Sequence, residues 1–217
     1  MQEQKESLCG FDRVFDRCRT HDLKWRQEGV EAYLNQKVRQ DMIPMWIADM
    51  DFGCMDEIVK AVKGRADHGI YGYCAPGAEF GGHIAFWEKE RFGWKISADW
   101  ITALPSVVSG INIAIRAFSK EGEGIIIQTP VYDPFISIVK RTGRVPVFNP
   151  LKRKQSHYEM DFEGLERLAS LPENRMLILC SPHNPVGRVW TEDELRRLAE
   201  ICLKYDVKIV ADEIHSD

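Results

Sequence analysis

Long hydrophobic runs are missing from this chain. No apolar stretch in its 217 residues is long enough to cross a bilayer as a helix, so a helical membrane span is not expected. The opening Met1-Gln-Glu-Gln-Lys-Glu-Ser7 is polar and carries no secretory leader pattern. Positive charge is not in excess either: the formal net charge is -4, which gives no basic face for nucleic acid. The six cysteines, at 9, 18, 54, 74, 180 and 202, lack the paired spacing of a metal site and read as reduced thiols. Internal repeats and low-complexity segments are absent. With 44% hydrophobic residues the chain can bury a core, and the composition agrees with a soluble, cytoplasmic enzyme without identifying one.

What the chain does contain is concentrated towards its end. Residues 176–180 form a short apolar run that ends in Ser181-Pro-His-Asn184-Pro-Val-Gly187, which suits a buried strand and a Pro-punctuated turn. Thr191 and Glu194 have capping-box spacing, and Leu195, Leu198, Ile201 and Cys202 recur at helical intervals. Residues 207–211 read as a second buried strand, which completes a β-α-β unit and predicts an α/β fold with a parallel sheet. In such sheets ligands bind at the carboxyl ends of the strands, where Asn184 and Asp212 fall. A carboxylate at the end of a nearly apolar strand is costly unless something positive or hydrogen-bonding meets it. Either Asp212 is a solvated strand-end residue, or it pairs with a cationic group such as a protonated pyridine nitrogen.

Two further stretches bear on a flat, anionic ligand. Residues 101–104 read as a strand, 105–108 as a turn and 109–118 as an apolar helix. The free N-H groups and positive dipole end of that helix allow Ser106, Val107 and Val108 to hold a phosphate, although a plain N-cap by Ser106 explains the same residues. Residues 124–128 form another buried strand, followed by Thr129-Pro-Val-Tyr132-Asp-Pro134. Tyr132 either stacks on a planar ring or simply packs in its turn.

The combination resembles the fold-type I pyridoxal-phosphate enzymes of the class I/II aminotransferase superfamily, and within them the MalY/PatB-type cystathionine β-lyases, or C-S lyases. The resemblance is carried by Phe11-Asp-Arg-Val, Pro44-Met-Trp-Ile-Ala-Asp-Met-Asp-Phe52, Tyr71-Gly-Tyr73, Asp99-Trp-Ile101, Pro130-Val-Tyr132, Cys180-Ser-Pro-His-Asn-Pro-Val-Gly187 and Asp212-Glu-Ile-His-Ser-Asp217. It implies an aspartate-aminotransferase-like large domain with a mostly parallel sheet, incomplete here, plus an N-terminal arm and part of a small domain. The expected division is 1–55 for the arm and small-domain part and 56–217 for the large domain.

For pyridoxal 5'-phosphate the resemblance implies that Asp212 pairs with the pyridine nitrogen and Asn184 with the ring hydroxyl oxygen, with His215 beside that oxygen. It places Tyr132 on the ring face, Ser106, Val107 and Val108 at the phosphate, and Ala48 and Asp49 at the substrate mouth. Tyr73 would reach the phosphate of the neighbouring subunit in a homodimer with shared sites. In the family a lysine holds the cofactor and, once freed, removes the substrate's α-proton. Charge drains into the ring, the β-carbon expels a thiolate, and pyruvate and ammonia follow. That lysine follows the Asp-Glu-Ile-His segment by a few dozen residues and is expected beyond Asp217, as are the arginine that grips the substrate carboxylate and the last two strands. Those strands are expected beside the 101–104 strand, between it and the 176–180 strand. The 217 residues alone are therefore expected to be inactive and to fold poorly.

Other readings remain. Asp49 and Asp51 have the spacing of a glycosidase-type or metal-binding carboxylate pair. Asp212, Glu213, His215 and Asp217 suit zinc or manganese as residue types, although extended backbone sends Asp212 and Glu213 to opposite faces. An aminotransferase would use Asn184, Asp212 and Tyr132 equally well, and a non-catalytic binding or regulatory protein would keep the fold without the lysine.

Overall fold

A computed structural model describes residues 10–39 and 41–217. The chain divides into two compact units, Met1–Ala75 and Pro76–Asp217, a division that lies later in the chain than the expected 55/56 boundary.

The first unit carries helices α1 (Gln27–Leu34) and α2 (Asp56–His68). The sequence reading omits α1, whose N-cap Arg26 makes no side-chain capping bond. Helix α2 stops at Gly69, which takes the left-handed conformation (φ 72°) that suits glycine.

The second unit contains α3 (Ala78–Phe92), α4 (Val107–Phe118), β1 (Gly124–Ile127), α5 (Pro134–Arg141), β2 (Val145–Phe148), β3 (Lys152–Lys154), β4 (His157–Glu159), α6 (Phe162–Ala169), β5 (Asn174–Cys180), α7 (Glu192–Lys204) and β6 (Lys208–Asp212). Strands β2, β1, β5 and β6 form, in that spatial order, a four-stranded all-parallel sheet, while β3 and β4 make a separate antiparallel ribbon. The sheet is covered on both faces, which is why its central strands are continuously apolar. Ile125, Ile127, Met176, Ile178 and Cys180 pack with Ile111 and Ile115 of α4 and with Phe135, Ile138 and Val139 of α5. The alternate residues Ile126, Leu177 and Leu179 pack with Leu165 of α6 and with Leu198, Ile201 and Cys202 of α7. The five described cysteines are free thiols, and no helix is long and apolar enough to cross a membrane among the described residues.

Three expectations need correction. Residues 101–104 form no strand, because a strand exists only through a ladder with a neighbour and none pairs with this segment among the described residues. The side of β5 away from β1 is taken by β6, so the sheet edge open to a further strand is β6 rather than the 176–180 strand. Helix α4 also begins two residues earlier than read, at Val107, because Ser106 caps it.

Candidate active site

Parallel pairing sets the geometry at the carboxyl end of the sheet. Cys180, the last residue of β5, is in register with Asp212, the last residue of β6, and the Ser181 N-H donates to the Asp212 carbonyl at 3.0 Å. Helix α7 joins the two strands and starts at a complete capping box: Thr191 Oγ1 accepts from the Glu194 N-H at 3.2 Å, and Glu194 Oε2 accepts from the Thr191 N-H at 2.8 Å. Asp212 is only 4% exposed. Its Oδ1 accepts the Ile214 N-H at 3.0 Å, and the carboxylate has no ion-pair partner among the described residues.

Asn184 is anchored to the same strand ends. Its backbone N-H donates to Cys180 Sγ at 3.4 Å, and its own turn is closed by Gly187 N-H to the His183 carbonyl at 2.8 Å. Burial raises the Cys180 thiol pKa, so the sulfur sits there as a neutral acceptor. The buried His183 ring joins this loop to the one carrying Tyr132 through a 2.9 Å contact between Nε2 and the Pro130 carbonyl. Burial lowers the His183 pKa, which favours the neutral ring with Nε2-H as donor and leaves Nδ1 as an acceptor. His183 Nδ1 and Gln128 Oε1 are both buried without a partner among the described residues. Tyr132 is 41% exposed and meets Phe135 edge-on at 5.8 Å.

Helix α4 reaches the same end of the sheet, for Val108 packs against the cluster that holds Cys180, with Val131 and Val210 also against it. Ser106 Oγ accepts from the Ser109 N-H at 3.1 Å, and the Ser106 carbonyl accepts from Gly110. The N-H groups of Val107 and Val108 have no partner among the described residues at the positive end of a 12-residue helix, where anions are favoured.

The structure thus gathers Asp212, Asn184, the Tyr132 loop and the start of α4 at one end of the sheet. His215 lies three residues past Asp212 in an exposed turn closed by Ser216 N-H to the Glu213 carbonyl at 2.9 Å, and makes no hydrogen bond to the others among the described residues. Tyr73, Ala48 and Asp49 belong to the first unit: Tyr73 is fully exposed, Ala48 exposed and Asp49 half-buried. Asp49 and Asp51 are not a free carboxylate pair, since Arg17 bonds both and Lys24 bonds Asp51. Glu213 and His215 are exposed while Asp212 is buried, and no group of three or more His, Cys, Asp or Glu is arranged for a metal among the described residues. Lys204 and Lys208 pair with Glu166 and Asp206 on the outer surface, at 2.7 and 2.6 Å.

Sequence reasoning gave no role to His183, although the residue stands inside the Ser-Pro-His-Asn motif. It also missed Arg17, Lys24 and Trp25, for which two unpaired acids at 49 and 51 were the available signal.

Residues 40–217 match the family described as aminotransferase class I and II. The chain belongs to that family. Among its relatives, cystathionine beta-lyase PatB of Bacillus subtilis is 41% identical over 95% of the chain and 52% of PatB. Protein MalY of Escherichia coli is 33% identical over 95% of the chain and 52% of MalY. Cystalysin from Treponema denticola, whose crystal structure contains pyridoxal 5'-phosphate, superposes with a TM-score of 0.85 at 37% identity, over 93% of the chain and 50% of cystalysin. The chain spans about half the length of the curated relatives it matches.

Proposed function

We propose that the protein is a pyridoxal-phosphate-dependent carbon-sulfur β-lyase that cleaves cystathionine or cysteine S-conjugates to a thiol, pyruvate and ammonia. The observation that carries the cofactor is the buried Asp212 carboxylate, which has no cationic partner of its own among the described residues. A buried, uncompensated carboxylate at a ligand-facing strand end fits a protonated pyridine ring. The free N-H groups of Val107 and Val108 fit the phosphate. When bound, pyridoxal phosphate supplies the electron sink for charge left by removal of the substrate's α-proton.

In this reading Asp212 keeps the proton on the ring nitrogen, and the Asn184 amide donates to the ring hydroxyl oxygen with His215 beside it. Tyr132 covers the ring face, and Ser106, Val107 and Val108 hold the phosphate with help from Tyr73 of the neighbouring subunit in a homodimer. Ala48 and Asp49 border the incoming amino acid. Lys204 and Lys208 are engaged in ion pairs on the outer surface, so neither is read as the base that removes the α-proton. The lyase reading rests on the likeness to PatB over 95% of the chain.

The cofactor part is tested on the protein expressed from its complete reading frame. An absorbance band near the visible edge should appear with pyridoxal phosphate and vanish on borohydride, and activity should survive chelators. Asp212→Asn should keep the phosphate seat yet lose about 10²–10³-fold in turnover, the scale for removing one preorganised electrostatic group. Activity lost to chelators, with no reducible band, would overturn it.

A further inference from the structure

The segment bearing Ala48 and Asp49 is held by a network of buried and half-buried charges. Arg17 Nε donates to Asp22 Oδ2 at 2.7 Å, while Nη1 donates to Asp51 Oδ1 at 2.6 Å and to the Met50 carbonyl at 3.0 Å. Its Nη2 bonds both Asp22 and Asp49. Lys24 Nζ donates to Asp51 Oδ2 at 2.7 Å and to the Asp49 carbonyl at 2.6 Å, and Trp25 Nε1 donates to Asp51 Oδ1 at 2.5 Å. Asp22 Oδ1 accepts the backbone N-H groups of Lys24 and Trp25 at 2.9 and 3.1 Å, which orients both side chains towards the segment.

Two features set this apart from a surface ion cluster. The Lys24 side chain is only 7% exposed, and a buried ammonium persists only where it is paired and hydrogen-bonded. The backbone it grips is also strained. Ile47, a β-branched residue, has φ 61°, and the Asp49 N-H donates to the Ile47 carbonyl at 2.9 Å, closing a three-residue turn centred on Ala48. A strained conformation of this kind persists only when its surroundings over-determine it. Lys24, then Trp25, hold the Asp51 carboxyl at about 2, so the network stays charged at neutral pH.

We propose that Arg17, Lys24 and Trp25 are positioning residues. They clamp the strained turn around Ala48 and pair with Asp49 and Asp51, so that the turn presents a fixed backbone rather than free carboxylates to the carboxylate of an amino-acid substrate. The proposal rests on the reading of Ala48 and Asp49 as the substrate mouth. Without Arg17 the Asp49 carboxylate would lose its side-chain partner and repel the substrate's own carboxylate, and without Lys24 the Asp49 carbonyl would lose its anchor. The loss belongs to substrate binding rather than to the chemical step.

The test uses the complete, cofactor-loaded protein with Arg17→Gln, Arg17→Lys, Lys24→Met and Trp25→Phe. Arg17→Gln and Lys24→Met should raise KM about tenfold while kcat changes by less than about threefold, the signature of lost uniform binding. Arg17→Lys should recover part of the KM, and Trp25→Phe, which removes one donor, should give a smaller rise in the same direction. Hydrogen exchange at the Asp49 amide should speed up in Lys24→Met while β1 and β5 amides stay protected. An unchanged KM, a fall in kcat at constant KM, or unchanged exchange at Asp49 would overturn the proposal. If the unmodified protein shows no lyase turnover, the functional reading fails and the Asp49 exchange rate alone decides on the clamp. If Lys24→Met also exposes β1 and β5, Trp25→Phe decides.

Discussion

His183 makes a residue-level dependence on pH legible. Its ring is buried, donates to the Pro130 carbonyl and packs edge-on against Trp190 at 5.5 Å. Burial lowers its pKa below the ordinary value near 6.5, with the Pro130 bond working the other way. The unfolded chain therefore binds this proton more readily than the folded one, and the ring's contribution to stability is fully present above about pH 6.5 and declines as pH falls below it. We expect the denaturation midpoint of the complete protein to drop between pH 7 and 5, and His183→Gln to flatten that part of the profile. An equal slope in the variant would assign the dependence to other groups. Asp212 shows the limit of reading at this scale: its place at a strand end is visible in the sequence, whereas its lack of a cationic partner among the described residues emerges only from the fold.

At the scale of elements, legibility followed the strength of the local signal. The capping box at Thr191 and the Asp161 N-cap of α6 announce their helices through side-chain chemistry, and both form. The apolar runs of β1 and β5 are equally plain, because parallel strands covered on both faces need unbroken hydrophobicity. The strand ending at Asp212 forms as read but is not the buried strand expected, since Lys208, Ile209 and Ala211 are exposed at the edge of the sheet. The β3–β4 ribbon was invisible: Lys152, Arg153 and Lys154 show no alternation, and three residues are too few for a periodic signal. The apolar 101–104 stretch misled for the opposite reason, since a strand also needs a partner that local sequence does not specify. The capping box also links fold to site, because α7 sets β5 beside β6 and hence Cys180 beside Asp212. Thr191→Ala should cost about 0.5–2 kcal/mol in a denaturant titration of the complete protein, and a change below about 0.3 kcal/mol would show that tertiary packing alone holds the helix start.

For the whole molecule, burial is unevenly distributed. The faces of the sheet are closed by α4–α7, yet Trp87, Trp94, Trp100, Ile113 and Phe118 are each at least half exposed, and the far side of β6 pairs with nothing among the described residues. Exposed aromatic surface and an open strand edge favour association over independent folding. The 217 residues expressed alone should aggregate or melt without a cooperative transition, and a sharp thermal transition with native-like cofactor absorbance would contradict this. The proposed β-elimination competes with amino transfer as a reading of the same strand ends. The measurement that separates them is product analysis of cystathionine turnover by the complete protein with pyridoxal phosphate. Pyruvate and thiol should form in equal amounts with no added 2-oxo acid, whereas turnover that requires a 2-oxo acid and yields its amino acid without pyruvate would contradict the lyase.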